Sequence, residues 1–162
     1  MSARSDLLDR AAVEASAHTT EPLLQRSLTR YRLDGLDAGA LTAELHPLTL
    51  LAQQVFDADF AAVHILDGAR QVRVAASAGT PLTVSRRSTS VCHQLLSKHE
   101  GSTAFVTQDA RVDPLLQDGQ WMGSEDVDVR FYAAAPLIGA EGAPLGALCV
   151  WSRTPAAASD VR

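Results

Sequence analysis

Apolar positions in the first third of the chain recur at helical spacing. Leu7, Leu8, Ala11, Ala12 and Ala15 form one stripe, and Leu24, Leu28 and Tyr31 form a second. Between them Thr20-Glu21-Pro22 supplies a capping threonine and a first-turn proline, so residues 6–32 are expected to be two helices with a break. After a turn over Asp34–Gly39, a third pattern begins at Ala40 and takes in Leu41, Leu45, Leu48, Ala52, Val55 and Phe56. Within it, His46-Pro47 either restarts or kinks the helix. From Asp59 the period changes to that of a strand. Phe60–Leu66 reads as a strand, Asp67–Arg70 as a hairpin turn and Gln71–Ala78 as a second strand, whose wetter face carries Gln71, Arg73, Ala75 and Ser77. An irregular stretch follows from Gly79 to Ser88, and Ser90 or Ser88 then caps a helix through Val91, Leu95 and Leu96. Ala104–Thr107 is a short strand, Asp109 is placed to cap a weak helix over Val112–Leu116, and a polar loop runs on to Val129. Phe131–Ile138 and Leu145–Ser152, joined by the turn Gly139–Pro144, complete five strands. Hairpin-linked strands with helices before and between them predict an α+β fold, an antiparallel sheet covered on at least one face.

Length and composition narrow this picture. The chain has 162 residues, 46% of them hydrophobic, which suits one domain with an appended helical arm and is too apolar for a disordered chain. Its longest apolar stretches, Phe60–Leu66 and Tyr132–Ala140, fall far short of a membrane span, and Ser2-Ala3-Arg4-Ser5-Asp6 leads into a charged amphipathic segment without a signal-peptide core. A cytoplasmic location, with no membrane partner, is expected. The formal charge is −5, and no basic run exceeds Arg86-Arg87, which argues against a nucleic-acid partner. Acidic residues gather at Asp118, Glu125, Asp126 and Asp128, a solvated loop that lacks the spacing of a calcium-binding loop.

Candidate chemistry is sparse. Cys92 and Cys149 both lie in apolar segments, where a free cysteine acts as a small hydrophobe, and two cysteines alone make neither a disulfide framework nor a four-ligand zinc site. Cys92 and His93 are neighbours on a helix and point about 100° apart, so they do not form a nucleophilic dyad. Near a helix N-terminus Cys92 is either a redox-sensitive thiol of lowered pKa or a buried structural residue. Of the histidines 18, 46, 64, 93 and 99, no pair has the spacing of a helical zinc site. His64 alternates with Phe60, Ala62 and Leu66 on one strand face, as a hydrogen-bonded core residue or as a contact to a ligand. The glycines of residues 139–146 join two strands and lack the Gly-Lys-Ser/Thr ending of a phosphate cradle. With neither a nucleophile elbow nor paired carboxylates in a familiar context, no catalytic residue and no metal site is assigned, and a non-enzymatic role is expected.

Arg130-Phe131-Tyr132-Ala133-Ala134-Ala135-Pro136-Leu137, followed by Leu145-Gly146-Ala147-Leu148-Cys149-Val150, resembles the signature of GAF domains. Further similar pieces stand in the family's order: the helix ending at Phe56, the strand Phe60–Leu66 with its Asp67-Gly68 turn, Ser90-Val91-Cys92-His93, and Val106-Thr107-Gln108-Asp109-Ala110-Arg111-Val112-Asp113-Pro114. The resemblance spans residues 41–155, leaving 1–40 as an N-terminal helical arm suited to dimerisation and 156–162 as a tail. Ala134 stands where the family has glycine, Leu115-Leu116 replaces its Arg-Phe, and the family's closing C-terminal helix is not seen. The N-terminal arm, or sequence beyond the chain, would take that helix's place beside the sheet.

The resemblance implies a sheet of five to six strands with helices on both faces, in a bacterial signalling or sensor module. It implies a small-molecule pocket on one sheet face and homodimerisation through helices on the other, with an output domain or protein as partner. Cys92, Asp109, Arg130, Phe131 and Tyr132 match motif positions at or behind that pocket, and with His64 they make up the candidate ligand-binding set. Asp109 and Arg130 read first as scaffold, the former as a turn cap able to pair with an arginine. No cofactor is assigned. The alternatives are a bilin at Cys92-His93, haem or non-haem iron through His64, His93 or His99, and a thiol-dependent enzyme like free methionine sulfoxide reductase. That reductase branch needs further cysteines, and the N-K-F-D-E motif of cyclic-nucleotide-binding members is absent.

Overall fold

The computed structural model describes residues 21–98, 104–114, 116 and 129–156. Six antiparallel strands form one sheet: β1 (Phe60–Asp67), β2 (Arg70–Ala76), β3 (Val84–Arg86), β4 (Phe105–Thr107), β5 (Phe131–Ile138) and β6 (Pro144–Ser152). Their spatial order is β3-β2-β1-β6-β5-β4. Helix α1 covers 21–31, α2 is Thr42–Val55 and α3 is Val91–Lys98. β3 lies in the stretch expected to be irregular. It is three exposed residues paired to the edge of β2, too short to carry a periodic signal.

Helices cover both faces. Leu24 and Leu28 of α1, with Leu41 and Leu45 at the start of α2, pack on Val63, Ile65, Val72 and Val74. Farther along the same face, Ala52 of α2 meets Ala61, Phe131, Ala133 and Val150. The other face holds Ala62, Tyr132, Ala134, Ala147, Cys149 and Trp151, covered by Cys92 and Leu95 of α3 and by Ala110 and Leu116. Six successive residues of β1, from Ala61 to Leu66, are therefore buried, as a central strand with two covered faces requires.

α1 is tied to the sheet by polar contacts as well as by its leucines. Ser27 Oγ donates to Glu141 in the β5–β6 turn at 2.8 Å, Arg30 pairs with the same carboxylate at 2.7 Å, and the Ala140 N–H donates to the Tyr31 hydroxyl at 3.1 Å. At the other end Glu21 pairs with Arg87 at 2.9 Å. The expected stripe of residues 7–15 and the break at Thr20 lie outside the described residues. So do the acidic cluster at 118–128, most of the tail and His99.

Three local expectations differ from the structure. Of the two outcomes expected at Pro47, a restart is not found, because α2 runs through it; the Thr49 hydroxyl donates to the His46 carbonyl at 2.9 Å. The wetter face expected on β2 is found only in its first half, where Gln71 and Arg73 are half-buried beside fully buried Val72 and Val74; Ala75 and Ser77 are buried. A bulge between Val63 and His64 shifts the register so that Ala75 pairs with Val63 and Arg73 with His64. The weak helix over Val112–Leu116 is instead a pair of turns, closed by Val112 N–H to Asp109 O at 3.2 Å and Leu116 N–H to Asp113 O at 3.0 Å. Asp113 precedes Pro114, and a residue before proline is disfavoured in the helical region.

Candidate functional site

The sheet face beneath α3 gathers four buried side chains able to exchange protons. His64 comes from β1, Tyr132 from β5, Cys149 from β6 and Cys92 from the first turn of α3, with exposures of 4%, 5%, 0% and 2%. Strand parity brings three of them together. Ala62 pairs with Cys149 and Ala134 pairs with Cys149 across the two ladders, so His64 and Tyr132, each two residues along, share the face of Cys149. Cys92 is set above them by the start of α3, which Ser90 caps: its Oγ accepts the His93 N–H at 3.0 Å.

The contacts are close. Cys92 Sγ lies 3.3 Å from Cys149 Sγ, 3.8 Å from His64 Nδ1 and 3.5 Å from the Tyr132 hydroxyl. The Tyr132 hydroxyl donates to Cys149 Sγ at 3.1 Å. Arg73 Nε donates to His64 Nε2 at 3.0 Å, while another nitrogen of the same guanidinium donates to the Pro81 carbonyl. Arg73 also lies over the Trp151 ring, 5.4 Å from its centroid, and Trp151 stacks on Phe60.

Arg73 fixes the chemistry of His64. A guanidinium has only donors, so the Nε2 facing it is an acceptor and the ring proton resides on Nδ1, aimed at Cys92. The donated bond from Cys149 and the His64 contacts hold the Cys92 thiol well below its ordinary pKa, against the opposing effect of burial. Burial pushes Cys149 and Tyr132 the other way, so both keep their protons. The result is a nucleophilic sulfur beside a protonated thiol. A ring nitrogen of His64, Cys92 Sγ and Cys149 Sγ also lie within 4.8 Å of one another, as three metal-type donors would. Ligation through Nδ1 would move its proton to Nε2, against the Arg73 N–H, whereas a ligating histidine ordinarily donates from its second nitrogen.

The candidate ligand-binding set divides into three. His64, Cys92 and Tyr132 come together. Phe131 does not join them, because alternation turns it to the opposite face, against Ala61 and stacked on Phe56 with ring centroids 6.1 Å apart. Asp109 and Arg130 form a bidentate pair of 2.9 and 2.6 Å that joins the turn after β4 to the start of β5. The Arg130 bond holds Asp109 down to about 2, and the Asp109 carboxylate also accepts the Arg111 N–H at 3.2 Å. Cys149 and Arg73 are the members that sequence reasoning did not assign. Cys149 could have been found by matching the parity of β6 to that of His64, but Arg73 required knowledge of the bulge.

Comparisons with known proteins point one way. The model of the family described as GAF domain matches residues 40–161. Over 104 residues the chain is 38% identical to a cyclic di-GMP phosphodiesterase of Pseudomonas aeruginosa, which covers 64% of this chain and 17% of that protein. The chain thus spans about 17% of the length of that curated relative. Among solved structures, a free methionine-R-sulfoxide reductase from Neisseria meningitidis is 18% identical, with 85% of this chain and 73% of the other covered and a TM-score of 0.54. The PixJ GAF domain of Thermosynechococcus elongatus is 17% identical, with 71% of each chain covered and a TM-score of 0.54. The GAF domain of a phosphoenolpyruvate-protein phosphotransferase from Coxiella burnetii is 16% identical over 88% of this chain and 84% of the other, with a TM-score of 0.54. These three likenesses establish the fold alone. No helix among the described residues is long and apolar enough to cross a membrane.

Proposed function

The chain belongs to the GAF domain family, a sensor and regulatory fold, and we propose that it is a non-enzymatic regulatory module. It binds a small molecule or a partner, acts in the cytoplasm as a homodimer, and passes its signal to an output domain or protein. The observation that carries this reading is the relation to the phosphodiesterase: the matching stretch is 17% of a longer protein named for an activity. A unit of that size suits control of an activity housed elsewhere in the assembly.

The arrangement of the candidate residues supports this over the alternatives. A bilin-attaching cysteine needs its sulfur toward open space, yet Cys92 faces Cys149 and Tyr132. Iron ligation by His64 needs a free ring nitrogen, and both of its nitrogens are engaged. The partner of His93 Nδ1 is Arg87 at 3.2 Å, and burial, then the Arg87 charge, lowers its pKa. A reductase thiol must meet its substrate, and both cysteines are buried.

Native mass spectrometry and visible absorbance of the full chain test the proposal. The expected result is a colourless protein that gives a dimer with a small molecule lost on denaturation. Stoichiometric absorbance from a pigment or haem overturns it in favour of a cofactor-bearing sensor. Turnover of free methionine sulfoxide that Cys92→Ala abolishes overturns the non-enzymatic assignment.

A further inference from the structure

We propose that Cys92 and Cys149 are a peroxide-oxidisable dithiol that closes to a disulfide between α3 and β6. Neither the family match nor the similar proteins assign such a site, and it stands whichever output the domain serves. Its basis is the contact of two sulfurs from distant parts of the chain at 3.3 Å. A disulfide bond is about 2.05 Å long, so the sulfurs need to approach by little more than ~1 Å between them. The remaining parts have distinct tasks. His64, its tautomer set by Arg73, directs Nδ1–H at Cys92 and favours the thiolate there. Cys149 retains its proton and accepts the Tyr132 hydroxyl bond, so it is placed as the resolving partner.

The chemistry balances with a hydroperoxide as oxidant. Cys92 ionises and its thiolate attacks the distal peroxide oxygen. An S–O bond forms, the O–O bond breaks, and the departing alkoxide or hydroxide takes up the proton released by ionisation. Cys92 is then a sulfenic acid. Cys149 sulfur attacks Cys92 sulfur, the S–S bond forms as the S–O bond breaks, and the hydroxyl leaves as water with the Cys149 thiol proton. Two thiols are oxidised, and the peroxide is reduced by two electrons to an alcohol or water, with one further water formed. Burial selects the oxidant. Both sulfurs are buried under α3, so the oxidant expected to reach them is one as small as hydrogen peroxide and not a bulky disulfide such as oxidised glutathione.

The chain has only these two cysteines, so any intrachain disulfide is Cys92–Cys149. Reduced full-length protein is treated with hydrogen peroxide or with oxidised glutathione, and free thiols are counted by maleimide labelling after denaturation. Two labels are expected before peroxide and none after it. The product should be a monomer on non-reducing electrophoresis and lighter by two hydrogen atoms. Glutathione disulfide should leave both labels in place. In Cys149→Ser, dimedone added with denaturant after the peroxide step should trap a sulfenic acid on Cys92, whereas Cys92→Ser should take no adduct. His64→Leu should slow closure about tenfold, and His64→Gln, which keeps an N–H donor, should recover much of the rate. Circular dichroism establishes that each variant compared is folded. Two thiols persisting in excess peroxide, chain-to-chain disulfides in place of the internal one, or equal reaction with glutathione disulfide would overturn the proposal. So would stoichiometric zinc or copper in the purified protein that Cys92→Ser loses.

Discussion

Asp109 and Arg130 show how a pair of motif residues serves the scaffold. Their side chains are about three-quarters buried, and the guanidinium binds both carboxylate oxygens. The pair holds together the turn after β4 and the entry to β5, where Ala110 N–H also donates to the Arg130 carbonyl at 2.6 Å. Because the pKa of Asp109 falls from 3.8 to about 2 on folding, the folded state binds that proton less readily than the unfolded chain. The pairing therefore stabilises the fold in full above about pH 4 and is lost as pH falls toward about 2. Urea unfolding at neutral and acidic pH, compared between wild type and Asp109→Asn, measures this. The wild type should lose its advantage over the variant through that window, and a difference unchanged down to the lowest pH would refute it.

Among the elements, the β1–β6 ladder does most to position the buried cluster, and Gly146 sets how closely it closes. A Cβ at Gly146 would be driven into the His64 carbonyl group, which is backbone and has no room to yield. Gly146 is not in the left-handed region, so its requirement is close approach and not backbone conformation. Gly146→Ala should push β6 off β1 and destabilise the domain by about 1–3 kcal/mol, read as a lower urea midpoint at unchanged slope. A midpoint equal to the wild type would show that the ladder relaxes freely. Much of this element-level arrangement is legible in the sequence. Leu24, Leu28, Leu45 and Ala52 announce helical faces, because burial of one face imposes its period on the residues, and the short, near-continuous apolar run of β1 announces a central strand covered on both sides. Where local sequence is not decisive, the reading strays. The bulge at Val63/His64 carries no marker residue, edge strand β3 is too short to show a period, and Asp113-Pro114 overrides the apolar spacing of Val112–Leu116. The thiol cluster was half legible. Its members are visible one by one, but their meeting depends on the register of three strands and on the height of α3 above them.

For the whole molecule, the outer surface of α2 is the feature that a solitary domain does not explain. The helix turns Leu45 and Ala52 to the sheet, yet Leu48, Leu51 and Val55 on its other side are 41%, 57% and 69% exposed. Their i, i+3, i+7 spacing makes one apolar stripe along the helix, where a surface helix ordinarily carries polar residues. Phe56, 43% exposed, extends it at the C-terminal end. A second copy of the chain is the occupant that fits the proposed homodimer, since a two-fold contact lets the same stripe cover itself. α2 also links that surface to the domain interior. It packs on β1 and β2, and its His46 Nδ1 lies 3.3 Å from the Ala76 carbonyl at the end of β2. Movement of the sheet would therefore be felt at the stripe. Light scattering at micromolar concentration should give twice the chain mass for wild type, whereas Leu51→Glu with Val55→Glu should give the chain mass with an unchanged circular dichroism spectrum. Both substituted positions are exposed, so the charges cost the isolated domain little and act only where two stripes meet. A wild type that scatters as a monomer, or a double variant that remains a dimer, would move the interface away from α2 and leave its apolar stripe to another partner.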